Sequence, residues 1–258
     1  MKVVILAGGF GTRLMEETES RPKPMVEIGG KPILWHIMKI YQKHGYNDFI
    51  ICLGYKANFI KDYFLNYYFN NSNFTVDLST NKVEVHQPNE ESFKVTLIDT
   101  GIETNTAGRI KRIRQYLNEE TFMLTYGDGV SDININELIL FHKKQGKIAT
   151  LSSIQMPGRY GNIETDSNGI VDHFREKPSG DGMWINGGFF VMEPAVFNYL
   201  EGHMEDVQFE KGPLIEIAKD KQLAAYKHFG FWKCMDALRV RIELQSMWDS
   251  GKAKWKIW

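Results

Sequence analysis

The segment Leu6-Ala7-Gly8-Gly9-Phe10-Gly11-Thr12-Arg13 continues directly from the apolar run Val3-Val4-Ile5-Leu6. Glycines at the carboxyl end of a strand let backbone N–H groups approach phosphate oxygens, because no Cβ stands in the way. Open α/β sheets take their ligands at such ends. Neither familiar phosphate motif fits. A dinucleotide fingerprint wants glycine where Leu14 stands, and a P-loop closes on Gly-Lys-Ser/Thr. The loop supplies Arg13 instead, a planar and permanent cation suited to phosphate. Ten residues on, Lys23 stands between Pro22 and Pro24, whose rings stiffen the backbone that presents its ammonium. A tight glycine turn with solvated cations explains either feature alone; together they point to a phosphorylated ligand.

Two carboxylates accompany these cations. Asp128, in Tyr126-Gly127-Asp128-Gly129, follows the strand-like Phe122-Met123-Leu124-Thr125, with small neighbours that leave room for a metal and a phosphate. Asp236 precedes an expected helix over 237–250, where it could equally be an N-cap, a place at which Asp is favoured. Asp132 reads as the cap of the helix that begins near Ile133. Mg²⁺ is commonly held by one or two carboxylates plus substrate oxygens, so two suffice. The seven histidines are scattered without an HxxxH pair, which argues against zinc hydrolysis. Cys52 and Cys234 form neither a disulfide framework nor a metal-binding spacing, and no Ser/His/Asp or Cys/His arrangement stands out.

The elements that must position these groups alternate. Strands are expected over 2–7, 49–54, 95–99, 121–127 and 148–154, and helices over 33–44, 57–70, 108–117 and 134–145. In the first of these helices Ile33, Ile37, Ile40 and Tyr41 recur at helical spacing, Pro32 suits the first turn and Gly45 the stop. Strands alternating with helices imply an α/β protein with a parallel sheet covered on both faces. Beyond it, Gly161 to Asp166, Ile170 to Lys177 and Gly187 to Met192 read as an antiparallel extension, followed by helices over 212–221 and 237–250. With no linker or repeat, the chain reads as a single domain over 1–258.

Composition narrows the function classes. In 258 residues, 31 Lys plus Arg oppose 32 Asp plus Glu, and 43% of residues are hydrophobic. That excludes a disordered tail, and the lack of a basic excess argues against a nucleic-acid binder. Apolar runs are strand-sized, far short of the ~20 residues that cross a bilayer. No signal-peptide pattern is present, so no membrane association and a cytoplasmic location are expected. Phe59, Tyr63, Phe64, Tyr67, Tyr68, Phe69 and Phe74, and the tail from Trp248 to Trp258, are aromatic enough for either core packing or a subunit interface.

Gly8-Gly9-Phe10-Gly11-Thr12-Arg13-Leu14 followed by Pro22-Lys23-Pro24-Met25 resembles the signature of sugar-1-phosphate nucleotidylyltransferases. Glu16-Glu17-Thr18, PKPMVEIGGKPILWHIMKIY, FTVDLSTNKVEVH, TYGDGVSD, EKP at 176–178, NGGFFV and FWKCMDALR are similar to the glucose-1-phosphate cytidylyltransferase branch, so the likeness covers nearly the whole chain. It implies a Rossmann-like, mixed but mostly parallel sheet flanked by helices (the nucleotide-diphospho-sugar transferase fold) with a smaller antiparallel extension. Residues 1–155 would mainly bind nucleotide, and residues 156–258 would serve sugar binding and assembly. Also implied are CTP and α-D-glucose 1-phosphate as substrates, Mg²⁺ dependence, pyrophosphate release, CDP-glucose for dideoxysugar and O-antigen biosynthesis, and a homo-oligomer; from the aromatic tail itself, deletion of 252–258 is expected to weaken assembly.

Residue by residue, the resemblance gives Asp128 and Asp236 to the metal, Arg13 to the triphosphate and transition state, and Lys23 to the α-phosphate. The nucleotide would lie on Leu6, Ala7, Gly8, Gly9, Gly11, Thr12, Gly127 and Asp128. Thr106 and Arg109 would project back over it from the start of a helix. Arg109, a pure donor, matches O2 and N3 of cytosine better than the N3–H of uracil or thymine. Thymidylyl and uridylyl relatives typically carry a Gln-Pro-x-Gly-Leu-type segment about here, which this chain lacks. The sugar phosphate would meet Glu176, Lys177, Asn186 and Gly187, with Tyr160-Gly161 as weaker candidates. The alternatives are a UTP- or dTTP-using enzyme of the same kind, or a GT-A-type glycosyltransferase, which should carry Asp-x-Asp where Asp128-Gly129-Val130 stands. A nucleotide-sugar sensor would have lost Arg13, Lys23 or an aspartate.

Overall fold

The run after Lys2 becomes β1 (Val3–Leu6), and all four of its side chains are buried, as a central parallel strand covered on both faces requires. The computed structural model describes residues 1–87, 91–156, 162–167, 169–175 and 183–258. β2 (Asp48–Leu53), β3 (Lys94–Asp99), β4 (Phe122–Tyr126), β5 (Ala149–Ile154), β6 (Ile185–Met192) and β7 (Leu223–Lys227) join β1 in a seven-stranded sheet ordered β7-β5-β6-β4-β1-β2-β3. β1 runs parallel to β2 and β4, β2 to β3, and β5 to β7. Within this sheet β6 is antiparallel to both its neighbours, β4 and β5. The sheet is thus mixed and mostly parallel, as expected. The chain leaves β1 toward β2 on one side and returns to β4 on the other, so a topological switch point lies at β1's carboxyl end.

Among the described residues, six helices of seven or more residues cover it: α1 (Ile33–Lys43), α2 (Ala57–Leu65), α3 (Thr106–Arg112), α4 (Ile135–Gln145), α5 (Pro213–Lys219) and α6 (Leu238–Asp249). The period of two along the strands sorts side chains into two cores. Val3, Ile5 and Ile51 pack with Ile37, Met38 and Tyr41 of α1 on one face. Val4, Leu6 and Ile50 pack with Ile110 of α3 and Ile217 of α5 on the other.

Several local expectations change. The helix expected over 57–70 stops at Leu65 and resumes as the short turn Tyr67–Asn70, and the one expected over 108–117 begins at Thr106, with a separate 3₁₀ turn at Arg114–Tyr116. An antiparallel ribbon, Asn73–Asp77 with Lys82–Gln87, had not been expected from spacing. Asp132 is not a helix cap. Asn134 caps α4, its Oδ1 accepting from the N–H groups of Asn136 and Glu137 at 3.1 and 3.2 Å, while Asp132 lies 3.0 Å from His228 Nε2. Asp236 is not one either, because α6 begins at Leu238 with Ala237 as its N-cap.

The carboxyl tail folds back into the core. Trp255 is 1% exposed and stacks on Phe231 at 5.7 Å between centroids. Its indole N–H donates to Nδ1 of buried His36 at 3.4 Å, and His36 Nε2 sits 2.8 Å from the Ile28 carbonyl. Trp255 thus packs within its own chain. On the other aromatic cluster, Tyr63 and Phe64 pack against the core while Phe59, Tyr68, Phe69 and Phe74 remain exposed. Among the described residues no helix is long and apolar enough to cross a membrane.

Two outcomes follow for stability. Trp255→Ala is expected to cost about 3–5 kcal/mol, the usual range for truncating a buried aromatic, measured by urea unfolding. Burial, with a smaller push from Lys256, drives the His36 pKa down to about 4. The unfolded chain then binds this proton more readily than the folded one, so His36's contribution is complete above pH about 6.5 and is lost as pH falls toward about 4. Its size is about 3 kcal/mol. Unfolding free energies at pH 7 and 4.5 check the sign, and His36→Gln should flatten the slope.

Candidate active site

At the carboxyl ends of β1 and β4 the described residues enclose an open cavity of about 550 Å³. Segment 6–13, Lys23, segment 102–106, Arg109 and residues 126–128 line it. Its floor is tied to the sheet. Gly127 N–H donates to the Leu6 carbonyl, Ala7 N–H to Cys52 and Tyr55 N–H to Gly8, each at 3.0 Å. Gly11 turns the chain with φ +66°, and a Cβ there would stand 2.9 Å from Thr18 Cγ2 and 3.0 Å from Lys23 Cβ. Only glycine suits both demands. Gly11 opens the single turn Thr12–Leu14 that presents Arg13, and the turn Lys23–Met25, entered through extended Pro22, brings Lys23 alongside.

The two carboxylates reach the site through a second ribbon, in which Gly129–Ser131 pairs antiparallel with Trp232–Cys234. Met235 N–H donates to the Asp128 carbonyl at 2.8 Å, which sets Asp128 and Asp236 at adjoining ends of these two strands. Each carboxylate pairs with one of the cations singled out above. Lys23 Nζ lies 2.6 Å from Asp128 Oδ2, and Arg13 Nη1 lies 3.4 Å from Asp236 Oδ2. The Lys23 pair is largely shielded. Arg13 is 80% exposed, so its pair is screened and weak. Among the described residues no group of three or more His, Cys, Asp or Glu could hold a metal. A divalent cation here would need these two carboxylates plus oxygens of the ligand, which is a normal demand for Mg²⁺. Cys234, beside them, is no nucleophile. Burial first, and then the charge of Asp128, push its thiol up to about 12.

Thr106 and Arg109 line the cavity, and protein groups engage both side chains. Arg109 is 3% exposed. Its Nη1 donates to the Leu53 carbonyl, the Thr100 hydroxyl and the Gly101 carbonyl at 2.9, 2.7 and 2.8 Å. Its Nη2 donates to the Gly8 and Ile102 carbonyls at 2.9 and 3.3 Å. These acceptors lie at strand ends and in loops, so the guanidinium ties the cavity's walls together instead of offering donors to a base. The Thr106 hydroxyl is likewise engaged, accepting from Phe209 N–H at 2.7 Å and donating to Glu210 Oε2 at 2.9 Å.

Asn186 and Gly187 border a recess of about 40 Å³ that shares Tyr126 and Asp128 with the main cavity. Trp232 closes it, its Nε1–H donating to the Gly187 carbonyl at 2.6 Å. Glu176, Lys177, Tyr160 and Gly161 lie outside the described residues. The spacing of the sequence had not brought forward Tyr126, Glu210 or Trp232. They come from three distant segments; Tyr126, next to Gly127-Asp128, and Trp232, in the run that leads to Asp236, stood near features that could have drawn notice.

The family described as Nucleotidyl transferase matches residues 2–234. A glucose-1-phosphate cytidylyltransferase of Salmonella typhi is 51% identical over the full length of both chains. A probable glucose-1-phosphate cytidylyltransferase of Bacillus subtilis is 48% identical over the same extent. Among solved structures, HddC from Yersinia pseudotuberculosis complexed with GMP-PN superposes with a TM-score of 0.69 at 24% identity, covering 96% of this chain and 99% of that one. A UDP-glucose pyrophosphorylase complexed with UDP-glucose gives 0.68 at 17% identity, covering 97% and 98%. These two likenesses speak to the fold.

The guanidinium behind the loop makes a sharp prediction. Arg109→Met leaves buried carbonyls without donors and should destabilise the protein by about 2–4 kcal/mol. Gly8→Ala should act in the same direction, since its Cβ would fall 2.2 Å from Arg109 Nη1. Urea midpoints unchanged in both variants would show that the guanidinium does not hold the loop.

Proposed function

The chain belongs to the nucleotidyl transferase family, and from that membership, its full-length relatives and the site's geometry we infer that it transfers a cytidylyl group from CTP to α-D-glucose 1-phosphate, giving CDP-glucose and pyrophosphate. The observation that carries the reading is the meeting of the glycine loop, Arg13, Lys23 and Asp128 on one cavity at the switch point of the sheet.

The attacking atom is a phosphate oxygen of glucose 1-phosphate, already anionic at neutral pH, so no general base is needed. Its bond to the α-phosphorus of CTP forms as the bond from that phosphorus to the oxygen bridging to the β-phosphate breaks, and pyrophosphate leaves with that electron pair. What remains for the protein is to hold two anions in line and to offset their charge. Leu6, Ala7, Gly8, Gly9, Gly11 and Thr12 are assigned to the nucleotide, with N–H groups of the loop beyond Ala7 meeting its phosphates. Arg13 is assigned to the triphosphate and Lys23 to the α-phosphate. As phosphate arrives, each cation exchanges its carboxylate for a phosphate oxygen. Asp128 and Asp236 are the residues that would hold Mg²⁺, which when bound supplies positive charge along the phosphates.

We place cytosine against the backbone edge of residues 6–8 and segment 102–106. Arg109 bears on base choice indirectly, by fixing the carbonyls of Gly8, Gly101 and Ile102. Glucose 1-phosphate goes to the side of Asn186 and Gly187, with Glu176 and Lys177 assigned to the same substrate. A role in dideoxysugar and O-antigen biosynthesis, a cytoplasmic location and homo-oligomeric assembly through the exposed aromatics near Phe59 and Phe69 complete the proposal.

The deciding assay measures pyrophosphate release with Mg²⁺ while crossing the four nucleoside triphosphates with glucose 1-phosphate and its epimers. Release is expected with CTP and glucose 1-phosphate, and its absence overturns the reading. Arg13→Ala should lower kcat by about 10²–10³, as removal of one preorganised donor does. A variant with wild-type kcat at saturating CTP would remove Arg13 from the transition state.

A further inference from the structure

Glu210 lies on the turn Phe209–Lys211, and no motif points to it. Its two oxygens nevertheless bridge the cavity's walls. Oε2 accepts from the Thr106 hydroxyl at 2.9 Å, and Oε1 accepts from the Tyr126 hydroxyl at 2.5 Å. Tyr126 is in turn 3.4 Å from Asn186 Nδ2.

The direction of each bond in this chain follows from its neighbours. Phe209 N–H donates to the Thr106 hydroxyl, so the hydroxyl's own proton is free for Glu210. Gly188 N–H donates to Asn186 Oδ1 at 2.8 Å, which identifies that atom as the oxygen and turns the amide NH₂ toward Tyr126. Tyr126 therefore accepts from Asn186 and donates to Glu210. All the donors run inward to one carboxylate, and an ionised carboxylate, having only acceptors, is the group that can terminate them.

The same segment also anchors the start of α3. No side chain caps this helix. The N–H groups of Asn105 and Ala107 donate instead to the carbonyls of Glu205 and Val207 at 2.6 and 3.1 Å. Thr106, between them, is thus held on both sides by residues 205–210.

We propose that Glu210 is a positioning residue for the transfer: its carboxylate locks the nucleotide wall at Thr106 to the sugar wall at Tyr126 and Asn186, so that the two subsites keep one fixed relative geometry. The proposal rests on the cytidylyltransferase reading. Glutamine at 210 nearly preserves the shape but reverses one donor. If its NH₂ faces Tyr126, the phenol receives two donors and loses its acceptor; if it faces Thr106, the same happens to that hydroxyl.

The test compares wild type with Glu210→Gln, Tyr126→Phe and Thr106→Val in the pyrophosphate-release assay, with CTP binding followed separately by calorimetry and folding by thermal melting. Glu210→Gln is expected to melt near wild type and to lose about 10–100-fold in kcat/KM, the range for a hydrogen bond to a charged group. It should raise KM for both substrates. Tyr126→Phe should raise mainly the KM for glucose 1-phosphate, and Thr106→Val should weaken mainly CTP. In the Glu210→Gln/Tyr126→Phe double variant the glucose 1-phosphate effect should not exceed that of the larger single change. Wild-type KM values in Glu210→Gln, or effects that multiply in the double variant, overturn the proposal. Should Glu210→Gln fail to fold, Tyr126→Phe decides, and an unchanged KM for glucose 1-phosphate overturns it. Failure of the functional reading is separable, because wild type itself would then release no pyrophosphate.

Discussion

Where a buried strand ends, its last N–H and C=O groups must still find partners, and this requirement at the end of β1 organises the whole site. The Leu6 carbonyl is taken by Gly127, Ala7 N–H by Cys52, and the Gly8 carbonyl by both Tyr55 N–H and Arg109. Each of these bonds brings a different segment to the same point: β4 with its aspartate, β2 with its loop, and α3 with its guanidinium. A glycine at position 8 is part of the solution, because the guanidinium occupies the space that a side chain would need.

Upon this backbone frame the site is built as two cation–carboxylate pairs, Lys23 with Asp128 and Arg13 with Asp236. The arrangement neutralises itself when no substrate is bound, which avoids leaving a charge partly buried and unpaired. Under the proposed function, phosphate oxygens would replace each carboxylate and a divalent cation would replace each basic side chain.

The fold was largely legible because parallel strands buried on both faces read as short apolar runs, and α1 shows a plain helical stripe. The ribbon Asn73–Asp77 with Lys82–Gln87 was not, because it is exposed and mostly polar and so carries no burial pattern. Asn134 caps α4 where Asp132 was expected to, because the chain turns into the helix only at Ile135.

For the site, the sequence by itself determined the side chains on offer: glycines for close approach, Arg13 and Lys23 as cations, Asp128 and Asp236 as carboxylates, and family motifs spread along nearly the whole chain. Composition and spacing carry that information because charge and side-chain size belong to each residue alone. The direction of a donor depends on which acceptors surround it, and only the tertiary structure decided that. Arg109 has the same guanidinium whether it faces a base or five protein oxygens; burial against Leu53, Thr100, Gly101, Ile102 and Gly8 turned it to the second. Glu210 drew no attention in the sequence, because its partners Thr106 and Tyr126 become neighbours only when residues 205–210 pack against α3 and β4.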